Sequence, residues 1–181
     1  MINIRNAKKG LELKIKKCLA LLDEEYTALN YTIYFYENRG KFLKEQTGKA
    51  DMQEKQYEQI LNGKIEAAGI TIGEKRIIKI FLFLFGDLKR DPKEILNVIA
   101  TLFHEIRHAW QNENNLFQNE EEISTIDGNF ESYLRLPSEK DAYRFQEAQM
   151  QEHAESILEI FGFNLKCKYI LNSEIRDVIY S

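Results

Sequence analysis

The chain is poor in cysteine and has no long hydrophobic run. Its two cysteines, Cys18 and Cys167, stand far apart, and neither lies in a spacing typical of metal binding, which favours a reducing compartment. The longest apolar stretch, Ile77 to Phe85, is interrupted by Lys79 and is too short to cross a bilayer. The first residues have neither a long apolar segment nor a small-residue cleavage site, so no secretory signal is expected. The sequence therefore predicts a cytoplasmic protein.

An excess of positive charge is also lacking. The 181 residues carry a net charge of −4, with a pI near 5.5, which argues against broad electrostatic binding to nucleic acid or anionic membranes. A hydrophobic fraction of 44% and an aromatic fraction of 12% are typical of a globular protein of this length. We therefore expect a single domain over residues 1–181 that binds neither nucleic acid nor membranes, with its oligomeric state left open.

Hydrophobic periodicity predicts the elements of the first half of the chain. Apolar residues at helical spacing predict an amphipathic helix from about Ala7 to Leu29, and the run Tyr31 to Tyr36 predicts a strand. A marginal helix is expected around Met52 to Leu61. The β-type runs Gly69 to Ile72 and Arg76 to Phe85 flank a short turn, which indicates a hairpin whose second strand is central and buried. We expect these strands to form a short, mostly antiparallel sheet.

A clear helix start follows these strands. Asp91 is a good N-cap, Pro92 suits the first helical position, and Glu94 completes a capping-box-like pattern. The helix is expected to run to about Asn112. Together with the predicted strands it indicates an α+β fold.

The last turns of this helix carry the most informative pattern in the chain, His104-Glu105-Ile106-Arg107-His108. This H-E-x-x-H run holds two of only three histidines. Residues four apart lie on one face of a helix, so His104 and His108 can reach one metal ion together. Glu105 lies about 100° further round the helix. In a zinc hydrolase that offset suits a general base that contacts water instead of the metal.

The helix has an apolar face and an opposite face that carries both histidines. At about 100° per residue, most apolar side chains fall on one broad arc and both histidines fall on the opposite side. The apolar arc, which is expected to pack on the sheet, comprises Ile95, Val98, Ile99, Leu102, Phe103, Ile106, Ala109 and Trp110. The histidine face also holds Asn97, Ala100, Thr101 and Gln111. Small and polar neighbours favour the floor of a cleft and hence a metal site.

A catalytic zinc site needs a third protein ligand and an open position. A later helix is predicted to begin near Ser138, and Glu139 shares its apolar face, where an unpaired carboxylate would be costly. Glu139 is therefore the preferred third ligand. The alternative is an exposed first-turn acid that the helix dipole favours. Asp141 points to nearly the opposite side and is interpreted as a helix cap.

Three further residues are weaker candidates for this ligand. On a straight helix His153 would lie roughly 21 Å from Glu139, so the two cannot bind one ion. Glu131 and Asp127 belong to the loop that connects the two long helices. The two cysteines are poor candidates because they lie far along the chain from the motif.

The motif together with Glu139-Lys140-Asp141-Ala142-Tyr143-Arg144-Phe145 resembles small zinc metallopeptidases of the gluzincin type, the ImmA/IrrE-like proteins, which carry an E-x-x-A-x-x-F signature. The similarity covers roughly residues 76 to 160. It implies a small zincin-like domain in which His104, His108 and Glu139 bind Zn²⁺ and Glu105 is the general base. It also implies cleavage of a protein regulator. The SprT-like proteases resemble the motif too, but they use a third histidine soon after it.

We therefore predict an enzyme, a zinc metallopeptidase that hydrolyses a peptide bond of an unknown protein. Tyr133, Tyr143 and Arg107 are candidate oxyanion donors, and the substrate is expected to lie along a sheet edge as an added strand. The acidic segment from Asn112 to Glu122 is interpreted as a solvated loop. Two alternatives stay open: a non-catalytic zinc-binding interaction or phage and mobile-element accessory protein, and a metal-free helical scaffold.

Overall fold

The computed structural model describes residues 1–46, 57, 58, 60, 68–120 and 130–181. Within these ranges it contains four strands and seven α-helices. The strands are β1 (Asn3–Arg5), β2 (Thr32–Phe35), β3 (Gly69–Ile72) and β4 (Ile77–Ile80). The helices are α1 (Lys9–Leu19), α2 (Glu24–Thr27), α3 (Arg39–Gln46), α4 (Pro92–Glu113), α5 (Phe130–Leu134), α6 (Pro137–Phe161) and α7 (Ser173–Ile179). The fold is α+β, as predicted.

The sheet is mixed, with the strand order β1-β2-β4-β3. β1 pairs in parallel with β2, and β2 in parallel with β4, whereas β3 pairs antiparallel with β4. The prediction of a mostly antiparallel sheet was therefore wrong. Helices α1 and α2 lie between β1 and β2 in the chain and return it to the same end of the sheet, which makes that pair parallel. Such long crossovers leave no local signal in the strands themselves.

The predicted hairpin is confirmed. β3 and β4 pair with Ile72 opposite Ile77, and Arg76 closes the turn in a left-handed conformation with φ of 52°. β4 lies between β2 and β3 and is largely buried, as expected. It is shorter than predicted, because Leu82–Leu84 forms a 3-10 turn beyond its end.

The N-terminal helix is divided in two. A single helix was expected from about Ala7 to Leu29, but α1 ends at Leu19 and α2 begins at Glu24. Asp23, at the N-cap of α2, has ψ of 157°, an extended conformation that an uninterrupted helix excludes. The helix expected around Met52 to Leu61 lies largely outside the described residues.

Helix α4 starts and ends close to the prediction. The Asp91 carboxylate accepts a hydrogen bond from the backbone N–H of Lys93 at 2.9 Å, and Pro92 is the first helical residue. In a capping box, the Glu94 carboxylate would accept a hydrogen bond from the backbone N–H of Asp91. Here it instead accepts from the backbone N–H of Gly86 at 2.9 Å. This contact ties the start of α4 to the segment that leaves the sheet.

The main core lies between the sheet and helices α1, α4 and α6. Seven of the eight residues of the apolar arc of α4 are fully or almost fully buried there, whereas Trp110 is half-buried at its edge. The histidine face of α4 contacts α6 and strand β3. No helix within the described residues is long and apolar enough to cross a membrane.

Candidate metal centre

Helices α4 and α6 bring His104, His108 and Glu139 together. The Nε2 atoms of the two histidines lie 3.0 Å apart. The Glu139 carboxylate places Oε2 at 3.2 Å from His104 Nε2 and Oε1 at 3.2 Å from His108 Nε2. The three residues thus form a donor triangle with contacts of 3.0 to 3.2 Å, in which a different oxygen of Glu139 faces each histidine. Within the described part of the chain, no other group of three such residues was found.

Glu139 reaches this triangle from the first turn of α6. Pro137 occupies the first turn of the helix, after Leu136 at the N-cap. Glu139 then faces α4 and is only 5% exposed. The expectation that this carboxylate lies on the packing face is confirmed, and the alternative of an exposed first-turn acid does not hold.

The donor set and its spacing fit a zinc ion. Two donors of a tetrahedral zinc site with bonds of 2.0–2.1 Å lie about 3.3 Å apart, close to the triangle's sides. Among the described residues, the buried atoms Glu139 Oε2 and His104 Nδ1 lack a well-formed hydrogen bond, although Oε2 lies 3.2 Å from His104 Nε2. Such orphaned atoms are costly unless another group satisfies them. A cation at the triangle would satisfy the carboxylate oxygen.

The electrostatics of the triangle couple its three members. Burial disfavours the charged form of Glu139, but the charges and hydrogen bonds of His108 and His104 outweigh burial and hold the pKa of its carboxyl well below the usual range. Burial lowers the pKa of His108, but the Glu139 charge outweighs it and raises that pKa to about 9. The negative charge of Glu139 thus favours a positive charge beside it.

Glu105 lies beside the triangle and contacts the sheet. It is 6% exposed, and its Oε2 accepts a hydrogen bond from the Thr71 hydroxyl on β3 at 2.7 Å. Burial raises the pKa of Glu105, while the charges of His104 and His108 and the Thr71 hydrogen bond partly oppose the rise. A raised pKa brings a carboxylate closer to the range that proton transfer near neutral pH requires.

Gly69 makes room for Glu105. A Cβ atom at this glycine would lie 2.7 Å from Glu105 Cγ and 2.9 Å from Glu105 Oε1. Only glycine therefore lets β3 pass this close to α4 without displacing the carboxylate. Neither Gly69 nor Thr71 was identified from the sequence, because each becomes significant only when β3 packs on α4.

Arg107 and Asp141 form a second contact between the two helices. The guanidinium donates to the Asp141 carboxylate at 2.7 and 3.0 Å, donates to the Tyr26 hydroxyl, and lies over the Trp110 ring at 4.1 Å. The expectation that Asp141 caps α6 was wrong, since α6 has no side-chain cap and this carboxylate faces α4. Arg107 therefore anchors α4 to α6 and α2, and its oxyanion role stays a prediction.

Gln111 joins this ion pair to the histidines. Its Oε1 lies 2.9 Å from His108 Nδ1, and its Nε2 donates to Asp141 at 2.7 Å and to the Ser138 carbonyl at 3.0 Å. The sequence placed Gln111 on the histidine face but assigned it no role. The signal available was its position three residues after His108, one turn along the same face.

Two tyrosines lie next to the triangle. The Tyr143 ring centroid is 4.3 Å from that of His104. Burial raises the pKa of Tyr133 and of Tyr143, and the Glu139 charge raises both further, so both phenols stay protonated. Both remain candidates to donate a hydrogen bond at this site.

The weaker ligand candidates lie elsewhere or beyond what the structure describes. His153 is partly buried on α6, with its Nε2 4.0 Å from Glu152. Glu131 is exposed and pairs with Arg135 at 2.6 Å. Asp127 lies outside the described residues. Neither His153 nor Glu131 belongs to the cluster of His104, His108 and Glu139.

The acidic segment after α4 is not only a solvated loop. Glu120 accepts hydrogen bonds from the backbone N–H of Ser138, at 2.8 Å, and from the Ser138 hydroxyl. It therefore satisfies a free donor at the start of α6, next to the Glu139 ligand candidate. Glu121 and Glu122 lie outside the described residues.

Comparison of the chain with protein-family models, with curated proteins and with solved structures found no match. The similarity to ImmA/IrrE-like metallopeptidases therefore rests on the H-E-x-x-H run and the Glu139 signature alone. Membership of that family stays a prediction.

Proposed function

We propose that this protein is a zinc-dependent peptide-bond hydrolase. His104, His108 and Glu139 would hold the ion, and Glu105 would be the general base. The observation that carries the proposal is the donor triangle of three residues, with contacts of 3.0 to 3.2 Å, next to a second carboxylate, that of Glu105, which stays outside it. Two imidazoles and a carboxylate are a typical ligand set of catalytic zinc.

When bound at such a site, zinc polarises a carbonyl and lowers the pKa of water towards neutrality. The side chains of this chain supply the proton transfers. Glu105 accepts a proton from the attacking water and then delivers it to the leaving amine. Its hydrogen bond from Thr71 holds the carboxylate in one orientation during both steps. Tyr143 or Tyr133 would donate to the developing oxyanion.

The substrate would be an extended peptide. β3 is the edge strand of the described sheet, and its Gly69 and Thr71 contact Glu105 directly. A peptide that adds to this edge would pair through backbone hydrogen bonds and pass beside the general base. Backbone pairing tolerates many side chains, so a regulatory protein with an extended segment would suit the site.

A second candidate is a non-catalytic zinc-binding protein that acts through interactions. Its support is the burial of the site, since His104, Glu105 and Glu139 are only 5 to 7% exposed. A closed site with all donors satisfied is typical of structural zinc. The presence of Glu105, a buried carboxylate outside the donor triangle, favours the hydrolase.

Glu105→Gln separates the two candidates. We expect zinc-loaded wild-type protein to cleave members of a proteome-derived peptide library, read by mass spectrometry. Glu105→Gln keeps the shape of the side chain and still accepts from Thr71, so it should bind zinc equally and lose cleavage by a factor on the order of 10² to 10⁴. Equal cleavage by both proteins would exclude Glu105 as the base. Zinc binding without cleavage by the wild type would favour the interaction protein.

A further inference from the structure

A continuous chain of polar contacts runs from an aromatic cluster to one of the two histidines. Arg107 lies against Tyr26, Trp110 and Phe145, and its guanidinium holds both oxygens of Asp141. Asp141 accepts from the Gln111 amide, and Gln111 contacts His108. Gln111 is 3% exposed, whereas the Arg107 and Asp141 side chains are 16% and 31% exposed, so the chain becomes more buried towards His108.

The contacts fix the orientation of the Gln111 amide. Its Nε2 lies 3.0 Å from the Ser138 carbonyl oxygen and 2.7 Å from an Asp141 carboxylate oxygen. Both partners are acceptors only, so the amide nitrogen must face them. The amide oxygen therefore faces His108, at 2.9 Å from Nδ1.

This orientation in turn fixes the tautomer of His108. An amide oxygen can only accept, so Nδ1 of His108 must carry a proton. In the neutral ring the lone pair then belongs to Nε2, which is the atom that faces His104 and Glu139. Metal-binding histidines commonly donate their other ring N–H to such a partner, which orients the ring and raises its basicity.

We propose that Gln111, held by Asp141 and Arg107, is a positioning residue that presents Nε2 of His108 to the metal. The inference rests on the proposed zinc site. It assigns Arg107 and Asp141, which reach His108 through the Gln111 amide, an indirect role in metal affinity. Within the described part of the chain the other histidine lacks such support, because Nδ1 of His104 is buried there without a hydrogen-bond partner. Only one of the two imidazoles is therefore oriented by the protein through its second nitrogen.

Zinc affinity tests this role without reference to activity. Gln111→Leu removes both halves of the amide contact and should weaken zinc binding about 10- to 100-fold, as loss of an outer partner typically does. Asp141→Asn keeps an acceptor for Gln111 but weakens its anchor, so a smaller loss is expected. Affinity is measured by competition with a chromophoric chelator, and the fold is checked by circular dichroism.

Gln146→Leu is the matched control. Gln146 is buried to a similar degree on α6 and donates to the Tyr169 hydroxyl at 2.8 Å, but it does not join the triangle. We expect wild-type zinc affinity for this variant. Equal affinity of Gln111→Leu and wild type would overturn the positioning role while leaving the zinc site intact. Failure of the wild type to bind zinc would instead overturn the proposed function.

Nitrogen-15 NMR of the zinc-loaded wild-type protein gives a second test that does not depend on a variant folding. The spectrum distinguishes a protonated ring nitrogen from a metal-bound one. We expect His108 to show a protonated Nδ1 and a metal-bound Nε2. A metal-bound Nδ1 would contradict the inference.

Discussion

The Thr71 hydroxyl on the edge strand lies 2.7 Å from the Glu105 carboxylate on α4. The same hydroxyl lies 2.9 Å from the Glu105 backbone carbonyl oxygen, so one side chain contacts both ends of this residue. The sheet therefore takes part in the candidate site by holding Glu105, the proposed general base. Strand β3 and helix α4 must keep their relative position for Glu105 to act.

Removing the Thr71 hydroxyl should change the pH dependence of cleavage. The hydrogen bond favours the charged form of Glu105 and lowers its pKa, so Thr71→Val should raise that pKa. Because the base acts when deprotonated, the acidic limb of the kcat/KM profile should move to higher pH. Thr71→Ser keeps the hydroxyl and should keep the wild-type profile. Identical profiles for Val and Ser variants would show that the contact is not functional.

Gly69 gives a steric test of the same arrangement. In Gly69→Ala the new Cβ would meet Glu105 Cγ at 2.7 Å, so the carboxylate must move. A displacement of about 1 Å can cost on the order of 10²-fold in rate, and we expect a loss of this size with zinc content unchanged. Gly10→Ala is the control, since nothing lies within 4 Å of its new methyl group. It should keep activity and stabilise the protein by less than about 0.5 kcal/mol in urea unfolding, because Gly10 lies in the first turn of α1 and not in its interior.

Zinc binding should release a proton from His108. Its pKa in the metal-free site is raised to about 9 by Glu139, so the ring is protonated at neutral pH and must lose that proton to bind a metal. Apparent affinity should therefore rise with pH, by on the order of tenfold per unit for one displaced proton, and level off above the pKa. Calorimetry in buffers of different ionisation enthalpy measures the proton directly. Buffer-independent heats would contradict this prediction.

The two cysteines should differ in reactivity. Cys18 is fully buried in the core, and burial raises the pKa of its thiol to about 12, whereas Cys167 is only partly buried. Because the thiolate is the reactive form, Ellman's reagent should modify about one thiol in the folded protein and both after unfolding in guanidinium. Cys167→Ser should abolish the fast reaction. Rapid modification of that variant would show that α1 does not pack as described.

The parts of the fold that were predicted from the sequence carry local signals. The Asp91-Pro92 start of α4 and the pairing of β3 with β4 depend on residues close together in the chain. The parallel pairing of β2 with β1 and β4 depends on long crossovers, and the strand sequences themselves do not record their direction. The break after α1 differs, because Asp23 followed by Glu24 and Glu25 is itself a helix-start pattern, and the continuous apolar periodicity of the segment outweighed it in the prediction.

The candidate site divides in the same way. His104, His108 and Glu139 were selected by helical face, and the structure brings these three together. Asp141 was misassigned because a first-turn aspartate suits a cap as well as an ion pair, and only the packing of α6 on α4 decides between them. Gln111 and Thr71 depend on the same packing, so their contacts could not be read from their positions in the sequence.

Metal content tests the central claim most directly. Zinc should be measured by inductively coupled plasma mass spectrometry in freshly purified wild-type protein and in His104→Ala, with His153→Ala as the control histidine outside the triangle. The account predicts about one zinc per chain in the wild type and in His153→Ala, and almost none in His104→Ala. Wild-type protein without bound metal that also fails to take up added zinc would contradict the account.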